Sequence, residues 1–304
     1  MTNYLHGNSE HFVLDPSVTL LKGSDSLKVI DRTVSSKLTK MDNYDLQRTL
    51  FCDSNGRIVD QVSIVLIDGQ LLVISGREES RETRKKLVTG VSWDEDCEVL
   101  DADNAISQIV VVCQNPELVL AKFQTESTLL GNDRVLEKGD LLISIKELST
   151  CHIIDILFPK ERLDDLLISL EESGSKLGPL DRWEFLRINN GMPSLLDSRG
   201  KLPGDVGMGG LVSLDKGCYP GQEIHARMDS RGKSTKQLLK IKSETKLEVG
   251  KILTSDLGRV FVTSSATYGD ISLSLAMCDS LGSDRVSFKL PDGTIAVAEI
   301  LTSV

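Results

Sequence analysis

The chain has 304 residues, of which 40% are hydrophobic and 26% charged, and a formal net charge of −10. This length allows two or three domains, since one hydrophobic core seldom grows past about 250 residues, and the composition is that of an ordinary globular protein. The acidic balance argues against a general nucleic-acid-binding surface, which needs Lys and Arg to displace phosphate counterions, and the longest apolar run, Ile109 to Cys113, falls far short of a membrane span.

In chain order, the opening residues MTNYLHGNSE lack the basic start and apolar stretch of a secretion signal and the Arg-rich pattern of a transit peptide, so a cytoplasmic location is expected. Residues 58 to 75 hold two β-rich apolar runs joined by Asp68-Gly69, which predicts a β-hairpin with a type I′ turn. A helix is predicted over REESRETRKKLVTG, capped at Gly90; a buried strand over AISQIVVVCQ; a short helix opened by Pro116; and a strand over LLISI. The strand HIIDILF then runs into PKERLDDLLISLEESG, where Leu163, Leu166, Leu167 and Leu170 recur at helical spacing. PLDRWEFLRINNG reads as a further helix with Leu180, Trp183 and Leu186 on one face and Gly191 at its end. From Gln237 onward, short apolar runs alternate with Gly, Asp and Ser turns, including Asp292-Gly293, without helical spacing, so a small all-β domain is expected over residues 235–304 behind an α+β region over 1–234.

Six cysteines, none closer than sixteen positions to the next, and four histidines without paired spacing supply neither a disulfide framework nor a local metal knuckle. Reduced thiols and no metal are expected. From Lys216 to Lys242 the chain carries seven basic and two acidic residues, a local excess of five positive charges. This is either an attraction site for an anionic partner, such as the acidic end of a ligand, or a solvated basic face.

The same region begins with the densest chemistry in the sequence, DKGCYPGQEIHARMDSRGK. Pro220-Gly221 suits the two central positions of a type II turn, with Cys218 and Tyr219 on one side and a helix starting on the other. Glu223 and Arg227, four apart, fit either a site or a surface ion pair. Cys218 is either a buried small hydrophobe or, beside Lys216, a thiol whose ionised form is favoured.

KGCYPGQEIHAR resembles the Lys-Gly-Cys-[Phe/Tyr]-x-Gly-Gln-Glu-x-x-x-Arg signature of the YgfZ-type folate-binding proteins, relatives of the glycine-cleavage aminomethyltransferase. RINNGMP, RGK at 231 to 233 and the early LKGSDSL are similar to further motifs of that family, so the resemblance spans nearly the whole chain. It implies an α+β cloverleaf: a two-part folate-binding region and a C-terminal antiparallel β-barrel around an opening that holds tetrahydrofolate or a derivative. It also implies a role in maturation or repair of iron-sulfur client proteins, including a radical enzyme that modifies tRNA, without direct contact to nucleic acid or membrane. Carried over, the folate-binding residues are Arg187, Asn189, Lys216, Tyr219, Gln222, Glu223 and Arg227, and the reactive ones Cys218 and Asp60. Aminomethyltransferases have Glu where Asn189 stands, a carboxylate suited to the pterin N–H donors, and that departure favours the YgfZ-type branch. Asp205, in LPGDVG, is shorter than the Gln or Glu usual at its position. Asp60, near an aspartate that orients folate in the transferases, pulls toward the alternative of aminomethyl transfer from a lipoyl carrier to tetrahydrofolate, or is a polar residue on the exposed face of the hairpin. A folate-binding scaffold without chemistry is a third class, so whether the protein is an enzyme stays open here.

Overall fold

The computed structural model describes residues 4–5, 7–76, 80–131, 133–232, 236–255, 258–279, 285–290 and 293–300, and the expectations attached to Lys233, Asp292 and the Arg231 side chain lie outside what it describes. The chain divides into two compact units, residues 1–49 with 61–179, and residues 50–60 with 180–304.

The first unit is built on β1 (Ser9–Leu14), β2 (Pro16–Lys22), α1 (Ser26–Asp31), β3 (Leu46–Cys52), β4 (Ile58–Ile67), β5 (Gln70–Gly76), α2 (Ser80–Gly90), β6 (Glu98–Asp101), β7 (Ile106–Cys113), α3 (Pro116–Leu120), β8 (Leu136–Lys138), β9 (Leu141–Glu147), β10 (His152–Pro159), α4 (Leu163–Glu172) and β11 (Lys176–Leu177). The strands form a mixed sheet in the order β11-β1-β7-β10-β9-β8 and a second sheet in the order β3-β4-β5-β2-β6. Burial explains both. Val18, Val65 and Ile74 of the second sheet meet Leu157 of the first, while the other face of the first, including Ile109, Val111, Ile154 and Ile156, packs on Leu166 and Leu170 of α4. All four leucines expected on the inner face of α4 lie against this core, and Asp164 and Asp165 in its first turn complement the positive end of the helix dipole. Asp68 and Gly69 both have positive φ, 48° and 76°, as a type I′ turn requires. Gly90 ends α2 inside the helix rather than in a left-handed cap.

The second unit contains α5 (Leu180–Asn189), α6 (Leu195–Ser198), α7 (Gln222–Arg231), β12 (Lys236–Ser243), β13 (Ile252–Ser255), β14 (Gly258–Tyr268), β15 (Ile271–Asp279), β16 (Arg285–Lys289) and β17 (Ile295–Ile300). The β-runs read after Gln237 become an antiparallel sheet in the order β13-β14-β15-β12-β17-β16, open between β13 and β16 among the described residues. Leu239, Ile241, Val260, Val262, Ala276 and Ala298 form its core. The expected face of α5 is corrected in part: Leu186 is buried and Trp183 half-buried, but Leu180 is 61% exposed, and the buried residues are Arg182 and the whole last turn, Phe185 to Asn189. Three of these six, Arg182, Arg187 and Asn189, are polar, so hydrophobicity alone does not delimit the buried part of the helix. Among the described residues no helix is long and apolar enough to cross a membrane.

Candidate functional site

The signature segment lies in the second unit. Gln222 N donates to Tyr219 O at 3.2 Å, and Gly221 has φ 87° and ψ 0°, so Tyr219-Pro220-Gly221-Gln222 is the expected type II turn and opens α7 directly. Gly221 is there for two reasons. Its φ is left-handed, and a Cβ on it would stand 2.4 Å from Gly56 Cα and 2.8 Å from Asp53 O.

Residues 53–57 form the tight turn that joins β3 to β4, also in the second unit. Asp53 Oδ1 accepts from the amides of Asn55 and Arg57, both at 2.9 Å, and Gly56 takes φ 71°. His225 of α7 binds this turn: its Nε2 lies 2.8 Å from Gly56 O, and its Nδ1 3.1 Å from Tyr219 OH. Because a carbonyl only accepts, Nε2 carries a proton, and in the neutral ring Nδ1 accepts from the phenol. Burial, and then the Cys52 thiol, push the Tyr219 hydroxyl up to about 12, so it remains a donor. Lys216 is fixed at both ends, its carbonyl accepting from Gln222 Nε2 at 3.1 Å and its ammonium standing 5.3 Å from the Tyr219 ring centroid.

These contacts hold residues 216–222 as a pinned loop. Cys218 stands exposed on it, while Cys52, Cys113, Cys151 and Cys278 are buried and Cys97 is partly so. Cys218 as a buried small hydrophobe is therefore ruled out by its place in the fold. Glu223 and Arg227 are exposed on α7, and among the described residues they form no ion pair with each other. His225 has no fixed place in the signature, yet it ties the segment to the β3–β4 turn. The signal for it was its place six residues after Tyr219, one helical turn into α7.

Arg187 lies in the last turn of α5, a helix ahead of the signature, and its guanidinium is held by groups of the protein. Its Nε donates to Glu184 Oε2 at 2.6 Å, its Nη1 to Met192 O and Asp197 Oδ2, both at 2.9 Å, and its Nη2 to Glu184 Oε1 and, at 2.8 Å, Ser264 Oγ. All five N–H donors of a guanidinium are thereby used inside the protein. Asp197 is fully buried and also accepts from Ser194 N at 2.8 Å, Thr263 Oγ1 at 2.6 Å and Ser264 Oγ at 2.5 Å. Two consecutive strand residues reach one carboxylate because β14 carries a bulge between Val262 and Ser264, which re-aims their side chains. Arg187 and Asp197 thus tie α5 and α6 to β14, and Arg187 has no donor left for a ligand.

Asp60 is 1% exposed. It is on the buried face of β4 with Ile58, Val62 and Ile64, which corrects its reading as a polar residue on the exposed face. Asn189 is buried at the end of α5, where its carbonyl accepts from Lys240 Nζ at 3.2 Å. Asp60 and Asn189 are thus a buried carboxylate and a buried amide, each with partners inside the protein. His225 and Met228 also line a cleft of about 270 Å³ with Leu202, Pro203, Asp205 and Val212. That is below the roughly 300–1,000 Å³ of pockets for drug-sized ligands and too small for a whole folate. The charge excess of 216–242 is dispersed: Lys240 is buried on Asn189 O, Lys216 lies over Tyr219, and Arg227 projects from α7. Among the described residues no group of three His, Cys, Asp or Glu side chains is placed to hold a metal ion.

No family profile matches the chain. An aminomethyltransferase of Caldanaerobacter subterraneus subsp. tengcongensis is 21% identical over 227 residues, which is 70% of this chain and 60% of that relative's length. Among solved structures, aminomethyltransferase T of the glycine cleavage system from Bartonella henselae matches with a TM-score of 0.80 at 15% identity, covering 96% of this chain and 85% of that one. The chain has the α+β fold of the aminomethyltransferases.

Proposed function

We propose that the protein binds tetrahydrofolate, or a derivative of it, and serves as an accessory factor in maturation or repair of iron-sulfur proteins, including radical enzymes that modify tRNA, with Cys218 as its reactive group. In this reading residues 1–234 hold the folate and residues 235–304 are a β domain. The observation that carries it is the exposed Cys218 on a loop whose other signature residues, Lys216, Tyr219, Gly221 and Gln222, are spent on holding that loop in place. A conformation so heavily specified around one accessible thiol is what a reactive cysteine requires. Asp60 and Asn189 would take the pterin N–H groups, and the bound folate would supply one-carbon chemistry.

Buried Asp60 favours a second reading, aminomethyl transfer from a lipoyl-bearing carrier to tetrahydrofolate, since a carboxylate on the inner face of β4 is placed for more than solvation. One paired experiment separates the two: methylenetetrahydrofolate formation with an aminomethylated lipoyl carrier, and complementation of a strain lacking the YgfZ-type factor, for wild type, Cys218→Ser and Asp60→Asn. Rescue that is lost with Cys218→Ser, without transferase turnover, supports the accessory factor. Turnover that falls by orders of magnitude in Asp60→Asn with folate affinity nearly unchanged supports the transferase, because such a group acts in the transition state.

A further inference from the structure

The sheet of the second unit has its core on one face, where Leu253, Val260, Ala276 and Cys278 pack together. Strand alternation sends the residues between them to the other face. There Ile252 of β13 stands opposite Phe261 of β14, Phe261 opposite Met277 of β15, and Met277 opposite Leu238 of β12. This apolar row runs from buried to exposed: Leu238 and Met277 are buried, whereas Phe261 is 36% and Ile252 51% exposed. Beside it on the same face lie Arg259, two residues before Phe261, and Lys236, opposite Asp279. Lys201, in the segment after α6, brings its ammonium to 5.6 Å from the Phe261 ring centroid.

Ile252, Phe261 and Met277 form the apolar part of one cavity of about 380 Å³, and Lys201, Lys236, Arg259 and Asp279 its charged part. That volume lies within the roughly 300–1,000 Å³ of small-molecule sites. Three cations against one carboxylate leave an excess of two positive charges, in a chain whose net charge is −10. A phosphate monoester carries about −1.5 to −2 at neutral pH and matches that excess, whereas a lone carboxylate matches half of it. The planar guanidinium fork suits two phosphate oxygens, and the ammonium groups add point charges. The exposed end of the apolar row offers an aromatic ring a place beside Phe261. A bare anion would leave that row in water, and an uncharged ring would leave the charge excess unmatched. Among the described residues, neither Asp60 nor Asn189 nor any of 215–232 lines this cavity.

We propose that this cavity binds a small aromatic phosphate ester, with its ring against Phe261 and Ile252 and its phosphate held by Arg259, Lys201 and Lys236. Every residue of the site belongs to the second unit, and the site stands independently of the folate reading.

The test is a saturation-transfer NMR titration of the full chain with phenyl phosphate, with benzyl alcohol as the uncharged probe and inorganic phosphate as competitor. Phenyl phosphate is expected to bind saturably and more tightly than either of the other two. Arg259→Gln is expected to weaken it by about tenfold, the usual loss for a charge-assisted hydrogen bond, and to leave benzyl alcohol unchanged. Phe261→Leu keeps apolar bulk but removes the ring; it is expected to weaken phenyl phosphate by about threefold or more and to leave competition by inorganic phosphate unchanged. Both positions are exposed, so urea midpoints close to that of wild type should show that the variants fold. No saturable binding below about 10 mM, binding indifferent to both changes, or phenyl phosphate no tighter than inorganic phosphate overturns the proposal. Calorimetry with tetrahydrofolate separates this site from the folate reading. Tetrahydrofolate affinity should be the same in wild type and Arg259→Gln; a loss there, with phenyl phosphate unaffected, gives the cavity to folate and overturns the proposal. Wild type that binds phenyl phosphate but no tetrahydrofolate upholds this site and fails the folate reading instead.

Discussion

Gly221→Ala tests the contact that seats the signature helix on the β3–β4 turn, and Gly232→Ala at the other end of α7 isolates the backbone part of its effect. Both glycines are left-handed, with φ of 87° and 71°, but among the described residues a Cβ at 232 meets nothing within 4 Å, whereas at 221 it would lie 2.4 Å from Gly56 Cα and 2.7 Å from Gly56 N. A left-handed alanine costs about 1–2 kcal/mol, offset by about 0.4–1 kcal/mol from the stiffer unfolded chain, so Gly232→Ala is expected to cost about 1 kcal/mol. At 221 the obstacle is backbone that cannot rotate aside, which adds an overpacking cost of about 1–3 kcal/mol, so Gly221→Ala is expected to cost about 3 kcal/mol. Urea unfolding followed by the emission of Trp183, in the same unit as both glycines, reads the difference; Trp93 is 98% exposed and changes little. A third variant refines the test. At Gly56 the added methyl would meet His225 Nε2 at 2.9 Å, so Gly56→Ala with His225→Ala should cost less than the sum of the single changes. Equal midpoints for Gly221→Ala and Gly232→Ala, or strict additivity of the Gly56 and His225 changes, would refute the close approach of the two loops.

Three further outcomes are expected. Iodoacetamide should alkylate Cys218 faster than the other five thiols, since burial pushes Cys113 up to about 12 and Cys278 up to about 11 and raises Cys97 as well; labelling no faster than that of Cys52 or Cys278 counts against an accessible Cys218. Arg187→Met should lower the urea midpoint by the equivalent of about 3–5 kcal/mol, because it strands the buried Asp197 carboxylate; a variant that unfolds like wild type and only weakens folate would return Arg187 to ligand binding. Burial pushes the Asp155 carboxyl from 3.8 up to about 6 against a Gln108 hydrogen bond, so between those pH values the folded state keeps a proton that the unfolded state has released. Stability therefore falls by about 3 kcal/mol as pH rises through that window, and Asp155→Asn should gain about that much over wild type at pH 7 and little near pH 3.5. A difference independent of pH would contradict the assignment.

The parts of the fold that the sequence disclosed are those written in adjacent residues. Asp68-Gly69, Pro220-Gly221 and the leucines of α4 each specify a local geometry by themselves, and each takes it. Arg187 could not be read this way, because two of the partners that complete its donor set, Asp197 and Ser264, stand 10 and 77 positions away on α6 and β14. For Asp60 the sequence left an exposed-face alternative open that the strand itself closes: Ile58, Asp60, Val62 and Ile64 share one parity, and that alternation puts the aspartate inside whatever its polarity suggests. Polarity misleads in the same way in α5, where Arg182, Arg187 and Asn189 are buried beside Phe185, Leu186 and Ile188. Polar residues on the parity or stripe of a buried face are the ones hydropathy discards, and they are also the ones whose desolvation must be repaid by a specific partner. For Arg187 that partner is Asp197 inside the same unit.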